Sequence, residues 1–414
     1  MEIDNEVRNI LNCLYENGFK AYIIGGAIRN YLLGFPYNDY DICTDATPDD
    51  LTHIFYNYSF IDQDKKYGSF KLQQNNCNIE ITTFRKEFKY IDSRHPSKVV
   101  FVHSLEHDIV RRDFTINSIA YSLNEGIVDI LNGIEDINKK QIKCIGDSSQ
   151  KFTEDPLRML RAIRLSSEYC LSIEENTLKA IKNNIGKLDH INPTKLFQEL
   201  HKYISSKNFN KYLDKYKFLF ISLFSFTDNI YEFNKEYINH ETDLYYKISM
   251  LLNGINDYLY KMIILFYYFE NNNDYKATEF FLKRYGISNA ILKKIVQSIE
   301  NIKFILSLNN ITDGINLLFK NKEEAINLIK ICINIAKLEK LNDKILNLTV
   351  LYESILKQNF NNKLDLDGKY LYEIFKEETS LVKQNIYNKV IKGELYNDNE
   401  NILRYIDDIK KSYI

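Results

Sequence analysis

Two aspartates, Asp39 and Asp41, are the residues of this sequence whose type and spacing most directly suggest chemistry. They open the segment DYDICTDA, which predicts a β-strand, and residues i and i+2 of a strand point to the same face. Two carboxylates held side by side repel each other unless a cation lies between them. Mg²⁺ prefers carboxylate, phosphate and water oxygens, so the pair predicts a magnesium site. Because the same spacing is common in solvated turns, the pair alone is a weak signal.

A phosphate-binding turn is predicted just upstream, at Gly25 and Gly26. The segment AYIIG (21–25) predicts a buried strand and residues 27–33 predict the start of a helix, so the glycines join a strand to a helix N-terminus. Glycine lets the backbone approach a ligand closely, and the free N–H groups of a helix N-terminus suit phosphate oxygens. Arg29, one turn into the helix, is positioned to neutralise a triphosphate. A plain strand–helix turn is the alternative interpretation.

A third carboxylate, Glu80, lies in the middle of a predicted strand, NIEITTF (78–84). Two asparagines separate this strand from GSFKLQQ (68–74), which indicates a hairpin. Glu80 shares a face with Thr82, opposite the neighbouring isoleucines, and the sequence leaves open whether it joins the acidic pair or is simply exposed. Three carboxylates on a small sheet beside a glycine turn indicate phosphoryl transfer with two metal ions.

The elements that must position these residues lie in the first part of the chain. All five prolines fall within the first 193 of 414 residues, and GIVDIL (126–131) predicts a further strand there. From Thr153 onward apolar residues recur at helical spacing. The expected fold class is therefore α+β, with a mixed head of about 140 residues followed by an all-helical remainder.

Composition limits the remaining possibilities. An apolar fraction of 45% suits a globular fold, and a formal net charge of −2 means that nucleic acid contacts must come from local clusters of Lys and Arg. Six scattered cysteines without a C-x-x-C pair predict reduced thiols, neither a disulfide framework nor a zinc site. No apolar run approaches the ~18 residues of a membrane helix, and no signal peptide is evident. We therefore expect a cytoplasmic protein with no membrane partner.

Five groups of motifs follow one another in the first 200 residues: GGAIR (25–29) with LLG (32–34) and DYD (39–41); ITTFR (81–85) with YIDSRHP (90–96); RRDFTINS (111–118); GIVDILNG (126–133); and EDPLRMLRAIR (154–164). In this order they resemble the class II tRNA nucleotidyltransferases, which comprise the bacterial CCA-adding enzymes and their poly(A) polymerase relatives. The resemblance implies a polymerase-β-like mixed-sheet head followed by a helical neck, body and tail. These domains are expected at residues 1–140, 141–205, 206–330 and 331–414, with RNA bound by the tail.

The last motif is implied to recognise the base. Asp155 would accept a hydrogen bond from an exocyclic amine and Arg158 would donate to a ring nitrogen or carbonyl, which accepts cytosine and adenine and disfavours uracil and guanine. Thr153 is the expected N-cap of a helix that carries both residues on one face. Arg161 and Arg164 continue the stripe toward phosphate or RNA.

The motif RRDFTINS is implied to recognise the sugar. Asp113 would accept from a ribose 2′-hydroxyl, and Arg111 or Arg112 would contact phosphate or sugar. One departure from the family lies in the first motif, where Asn30 stands in place of the usual aspartate after Arg29.

The implied activity is template-independent addition of CCA to the 3′ end of tRNA from CTP and ATP, with Mg²⁺ as cofactor and pyrophosphate as product. LDLDGKYL (364–371) and VIKGELYND (390–398) resemble the tail of Gram-positive CCA-adding enzymes, which favours tRNA as partner. The intact loop motif at 90–96 argues against an enzyme that adds only CC. An A-adding enzyme of a split pair, a poly(A) polymerase, an RNA-binding module with lapsed catalysis and a small-molecule nucleotidyltransferase remain alternatives.

Overall fold

The computed structural model describes residues 1–58, 60–74, 77–90, 96–224, 241–269, 275–308, 322–357, 366–391 and 394–412. Internal contacts divide the chain into two compact units, Met1–Asn234 and Lys235–Ile414. Predictions outside the described residues concern the hairpin turn at 75–76, most of the loop motif (91–95) and parts of the two tail motifs (364–365 and 392–393). The four-domain division stays a prediction.

The described strands of the first unit are β1 Ala21–Ile24, β2 Asp39–Thr44, β3 Phe60–Asp64, β4 Ser69–Gln74, β5 Cys77–Thr83, β6 Arg85–Tyr90, β7 Pro96–Phe101, β8 Ala120–Ser122, β9 Gly126–Val128, β10 Gln141–Ile142 and β11 Ser172–Ile173. Seven of them form a mixed sheet in the order β3-β4-β5-β2-β1-β8-β9. Strands β6 and β7 form a separate antiparallel ribbon, and β10 pairs with β11 in parallel.

Helices accompany the sheet and then dominate the rest of the unit. They are α1 Asn5–Glu16, α2 Gly26–Leu33, α3 Pro48–Ile54, α4 Leu105–Ile109, α5 Gly133–Asn138, α6 Ser148–Glu154, α7 Leu157–Tyr169, α8 Glu175–Asn184, α9 Pro193–Ser205, α10 Phe209–Leu213 and α11 Lys217–Phe224, with 3₁₀ turns at Thr115–Asn117 and Ile185–His190.

The central strands form as their apolar pattern predicts. All four residues of β1 are buried, because β2 and β8 cover both of its edges and helices pack nearby. In β2 the pattern alternates: Tyr40 and Ile42 are buried, whereas Asp39 and Asp41 are exposed on the opposite face. Strand β5 pairs with β2 in parallel and sets Glu80 beside Asp41. All three carboxylates therefore belong to one face of the sheet.

Two local expectations are wrong at their boundaries. The strand predicted over 126–131 ends at Val128, because the Asp129 carboxylate accepts from the backbone N–H groups of Gly133 and Ile134, at 2.8 and 2.9 Å, and turns the chain into α5.

The helix expected to begin at Thr153 is two helices. Thr153 lies inside α6, whose N-cap is Asp147, and α7 begins at Leu157. Between them Asp155 is extended, with φ −144° and ψ 94°. Proline disfavours the helical conformation in the residue before it, so Pro156 accounts for the break.

The second unit is helical throughout its described part, which confirms the prediction from its lack of proline. Its α-helices are α12 Glu241–Leu251, α13 Tyr258–Phe269, α14 Lys276–Arg284, α15 Asn289–Ser307, α16 Lys322–Leu338, α17 Asn342–Lys357, α18 Gly368–Phe375, α19 Thr379–Ile391 and α20 Asn399–Ser412, with a 3₁₀ turn at Lys376–Glu378. Among the described helices, none is both long enough and apolar enough to cross a membrane. The α+β fold class is confirmed.

Candidate functional site

A cleft of about 670 Å³ opens in the first unit, and we call it the head cleft. The predicted site residues that line it are Gly25, Gly26, Arg29, Asp39, Asp41, Arg111, Arg112, Asp113, Asp155, Arg158, Arg161 and Arg164. Glu80 is the predicted site residue that does not line it. Residues far apart in the sequence therefore meet in one cavity, and their chemical roles stay predictions.

The glycine turn lies close to the acidic strand, because Ile24 of β1 pairs with Asp41 of β2. Gly25 has φ +82° and ψ −128°, a conformation that side-chain-bearing residues avoid. A Cβ atom at this position would lie 3.2 Å from Oδ2 of Asp41. Glycine is thus required at position 25 both for its backbone conformation and for the close approach of the carboxylate.

Asp39 and Asp41 are the two acidic residues of β2 that line the cleft. The Asn78 side-chain amide donates to Oδ1 of Asp39 at 2.8 Å. Although Asp41 is reached by solvent, the protein around it removes part of its hydration and raises the pKa of its carboxyl. Arg112 opposes this shift, and Glu80 adds to it by repulsion. A cation bound to the pair would relieve that repulsion, so the residues present fit a divalent metal ion.

Glu80 is held by its own strand neighbours. Its carboxylate accepts from Oγ of Ser69 at 2.6 Å and lies 3.9 Å from Nζ of Lys71. Within the described ranges, no three His, Cys, Asp or Glu side chains converge on one cation position. Glu80 as a third catalytic carboxylate therefore stays a prediction.

Arg29 is buried and held by uncharged partners. Its guanidinium donates to Oδ1 of Asn117 at 2.7 Å, to Oδ1 of Asn30 at 2.8 Å and to the Tyr169 hydroxyl at 2.9 Å. It also lies 4.5 Å from the centre of the Tyr169 ring. Because none of these partners neutralises it, the positive charge of Arg29 is available to an anion in the cleft.

Arg111 and Arg112 share one buried acid. Asp108 accepts from Nε of Arg111 at 2.8 Å and from Nη2 of Arg112 at 3.1 Å. Burial alone would raise the pKa of Asp108, but the two guanidinium groups lower it below its ordinary value. Arg111 also contacts Oε1 of Glu87 at 3.3 Å, so its donors are more fully engaged than those of Arg112.

Three hydrogen-bond donors stabilise the ionised carboxylate of Asp113. It accepts from Nη1 of Arg161 at 2.9 Å, from the Asn117 amide at 3.0 Å and from the backbone N–H of Phe114 at 2.8 Å. Burial opposes ionisation, but Arg161 and Asn117 outweigh it and lower the pKa of Asp113 to about 2. Asp113 is therefore an ionised acceptor at neutral pH.

The acid–arginine pair implied to recognise the base stays close despite the break in the helix. Oδ2 of Asp155 lies 4.0 Å from Nε of Arg158, and Nη2 of Arg158 donates to the backbone carbonyl of Arg111 at 3.1 Å. The expectation that both residues share one helical face is wrong, because only Arg158 belongs to α7.

Arg164 lies farther along α7 and is paired with two acids. Its Nε donates to Glu199 at 2.8 Å and its Nη1 to Glu168 at 2.6 Å. Glu199 belongs to α9, which packs against α7. Arg164 therefore fixes one wall of the cleft.

Several lining or supporting residues escaped the sequence analysis: Glu87, Asp108, Asn117, Lys195 and Lys202. The spacing of Asp108 to Arg111 and Arg112, three and four residues, was a usable signal for ion pairs on a helical turn. Asn117 stands inside a quoted motif, but nothing in the sequence shows that it joins Arg29 to Asp113. No local pattern distinguishes the two lysines from solvated ones.

The head cleft differs in charge from the chain as a whole. Nine of the described lining residues are Lys or Arg and five are Asp or Glu, whereas the whole chain has a formal net charge of −2. A cavity with this positive excess favours a polyanionic ligand.

Comparisons with known proteins show what this chain is similar to. Residues 21–143 match the family model of the poly A polymerase head domain. The chain is 41% identical over 207 residues to the CCA-adding enzyme of Staphylococcus epidermidis, covering 50% of this chain and 51% of that protein. It is 36% identical over 248 residues to that of Ligilactobacillus salivarius, covering 58% and 61%. These matches span about half to three fifths of the relatives' length.

Solved structures extend the likeness of fold to nearly the whole chain. The Bacillus stearothermophilus CCA-adding enzyme in complex with CTP matches with a TM-score of 0.66 at 23% identity, covering 99% of this chain and 98% of that one. The Thermotoga maritima CCA-adding enzyme complexed with tRNA matches with a TM-score of 0.67 at 20% identity, covering 98% and 96%. These findings support the resemblance inferred from the motifs: residues 21–143 are similar to the poly A polymerase head domain, about half of the chain is similar to curated CCA-adding enzymes, and the fold is that of the CCA-adding enzymes.

Proposed function

We propose that this chain adds CCA to the 3′ end of tRNA from CTP and ATP, one nucleotide at a time and without a nucleic acid template, with release of pyrophosphate. The observation that carries the proposal is the close approach of Asp41 to Gly25 in a cleft whose lining is rich in arginine and lysine. The similar proteins named above are CCA-adding enzymes, and structures of such enzymes with CTP, with ATP and with tRNA have the same fold.

Asp39 and Asp41 are the residues that would hold the metal ion. Enzymes of this family use divalent metal ions, and we propose Mg²⁺ because the donors are carboxylate oxygens. When bound, the ion supplies Lewis-acid stabilisation of phosphate charge and lowers the pKa of a hydroxyl. Glu80, beside Asp41 in the neighbouring strand, is proposed to assist through its charge.

The triphosphate would bind where α2 begins. Gly25 and Gly26 line the cleft at the N-terminus of α2, which is the positive end of the helix dipole, and Arg29 adds a charge that its side-chain partners do not neutralise. Of the two neighbouring arginines, Arg112 is proposed to contact phosphate, because Arg111 is already held by Asp108 and Glu87. These contacts would stabilise the departing pyrophosphate.

Sugar and base would be recognised on the remaining walls. Asp113, ionised and fixed by Arg161, has oxygen lone pairs left for a ribose 2′-hydroxyl. Asp155 and Arg158 present an acceptor and a donor, and cytosine and adenine both carry an amine beside a ring nitrogen. One pair of side chains can therefore accept both bases and disfavour uracil and guanine.

The reaction would proceed without a covalent intermediate on the protein. The RNA 3′-hydroxyl attacks the α-phosphorus, the bond between the α-phosphorus and the bridging oxygen breaks, and pyrophosphate leaves toward Arg29. Two cycles with CTP and one with ATP complete the CCA end. The protein contributes position and preorganised charge, which are the main sources of catalysis in phosphoryl transfer. Because its substrate is tRNA, the protein is proposed to act in the cytoplasm.

Incorporation assays test this proposal. The purified chain is incubated with Mg²⁺, labelled CTP or ATP, and three tRNA transcripts that lack CCA, lack CA or lack only the final A. We expect CTP incorporation on the first two and ATP incorporation on the third.

The alternatives give different outcomes in the same assay. ATP incorporation on the third transcript alone would indicate an A-adding enzyme, and long A tails on unrelated RNA a poly(A) polymerase. RNA binding without incorporation would indicate a module whose catalysis has lapsed. Nucleotide transfer only to small molecules would reject an RNA substrate.

A further inference from the structure

We infer that two lysines of α9, Lys195 and Lys202, form a binding site for the backbone phosphates of the RNA strand that receives the nucleotide. The inference rests on the proposed function and adds to it, because no motif or predicted role assigns these residues. Both line the head cleft. They lie seven residues apart on one helix, which is two turns and about 10 Å along its axis.

The two lysines lie on helix α9, which is held in place by an N-terminal cap and a buried apolar face. Helix α9 begins at an Asn192 cap, whose side-chain oxygen accepts from the backbone N–H groups of Thr194 and Lys195 at 3.0 and 3.3 Å. Its apolar face is buried, including Leu196 and Leu200. The stripe that contains Lys195, Glu199 and Lys202 is therefore held toward the cleft by helix geometry.

Local charges leave this wall positive. Glu199 is buried and bound to Nε of Arg164 at 2.8 Å, and Lys202 approaches its other oxygen at 3.7 Å. No carboxylate of the described residues lies within 4 Å of the Lys195 ammonium group. Arg164 and the two lysines thus face two acids, Glu168 and Glu199, which leaves one positive charge in excess.

A separate ligand explains this charge better than the incoming nucleotide does. The proposed triphosphate, ribose and base sites lie on other elements: α2, the segment around Asp113, and the start of α7. The receiving strand must enter the same cleft to bring its 3′-hydroxyl to Asp41, and it carries one phosphate per nucleotide. Lysine is a flexible point charge, which suits contact with a backbone regardless of base sequence.

Salt-dependent binding tests the inference. A fluorescent tRNA transcript that lacks CCA is titrated with three proteins at salt concentrations from about 50 to 200 mM. The proteins are the wild-type chain, the double variant Lys195→Gln/Lys202→Gln and the control variant Lys179→Gln. Lys179 is an exposed lysine of α8 that does not line the cleft. We expect the double variant to reduce the slope of log Kd against log salt by roughly 1.5 to 2. The control should keep the wild-type slope, and Lys195→Arg/Lys202→Arg should restore most of it.

Incorporation kinetics separate the possible occupants. In the double variant, the KM for CTP measured with saturating RNA should stay within about twofold of the wild-type value. The variant loses contacts with the RNA and keeps those with CTP. A raised KM for CTP with an unchanged salt slope would assign the lysines to the nucleotide and overturn the inference. If the double variant still extends RNA and its salt slope is unchanged, the inference about the lysines is overturned and the proposed function stands. If the wild-type chain neither binds nor extends RNA, both the inference and the proposed function are rejected.

Discussion

The two units each contain a cavity of similar size, but the described residues that line the two cavities differ in charge. The head cleft measures about 670 Å³ and a cavity in the second unit about 530 Å³. The described lining of the second cavity includes four asparagines, two lysines and three acids. Its polar groups also serve the fold, since Asp257 accepts from the backbone N–H groups of Leu259 and Tyr260 at the start of α13. Charge excess and close carboxylates, and not volume, distinguish the candidate site.

The largest expected effect comes from Asp41→Asn. Removing this charge should lower nucleotide incorporation by at least about 10³-fold, since the pair would no longer hold a cation where phosphate charge develops. Single-turnover incorporation with saturating CTP and tRNA is the measurement. Asp257→Asn is the matched control from the second cavity and should change the rate by less than about twofold, because asparagine also caps helices. Comparable losses in both variants would erase the distinction between the cavities.

A smaller effect is expected from Asp155→Ala. Without its acceptor the cleft can no longer favour an amine-bearing base, so the preference for CTP over UTP should fall by about 10- to 100-fold. The kcat/KM values for the four nucleoside triphosphates measure it. Asp147→Asn, at the cap of α6, is the control and should leave the preference intact. Full fidelity in Asp155→Ala would remove Asp155 from base recognition.

The free energy of unfolding of the chain is expected to depend on the ionised carboxylate of Asp113 in the head cleft. Its pKa is about 2 in the folded chain against an ordinary value of 3.8, so its ionisation contributes about 2 kcal/mol above pH 4, and this contribution is lost as the pH falls toward 2. Asp113→Asn should therefore lower the unfolding free energy by about 2 kcal/mol at pH 7 and pH 5, and by less at pH 3. Urea unfolding followed by circular dichroism measures the difference. If the difference in unfolding free energy between the wild-type and Asp113→Asn chains stays constant down to pH 3, the stabilising role of the Asp113 ion pair is contradicted.

The smallest effect is expected in the second cavity. Asn327 donates to the hydroxyl of Tyr260 at 3.2 Å, and Asn327→Ala should lower stability by about 1 kcal/mol. Incorporation should not change beyond about twofold, because the contact is structural. Thermal unfolding and the same incorporation assay test both parts. A large loss of activity with normal stability would give the second cavity a function and reverse the comparison.

The fold could be predicted where the periodicity of apolar residues agrees with the positions of turn-forming residues and prolines. The buried β1, the alternating β2, the hairpin of β4 with β5 and the proline-free helical region all follow from local patterns. Boundaries failed where a side chain competed with the pattern. Asp129 ended a strand, and Pro156 broke a helix.

The candidate site was predictable as a set of motifs but not as a network. The approach of Gly25 to Asp41 follows from neighbouring strands and an obligatory glycine. The link from Arg29 through Asn117 to Asp113 joins residues more than eighty positions apart, and Glu199 reaches Arg164 from another helix. Such pairings depend on tertiary packing, which the order of residues along the chain does not reveal.

The break at Pro156 also gives Asp155 and Arg158 unequal freedom. Arg158 is anchored within α7 and bonded to the backbone of Arg111, whereas Asp155 stands on an extended joint between two helices. A small rotation at that joint would widen or narrow the gap between acceptor and donor without disturbing either helix. Replacing Pro156 with alanine would remove the steric reason why Asp155 is extended, so this proline sets how the acceptor is presented to the donor.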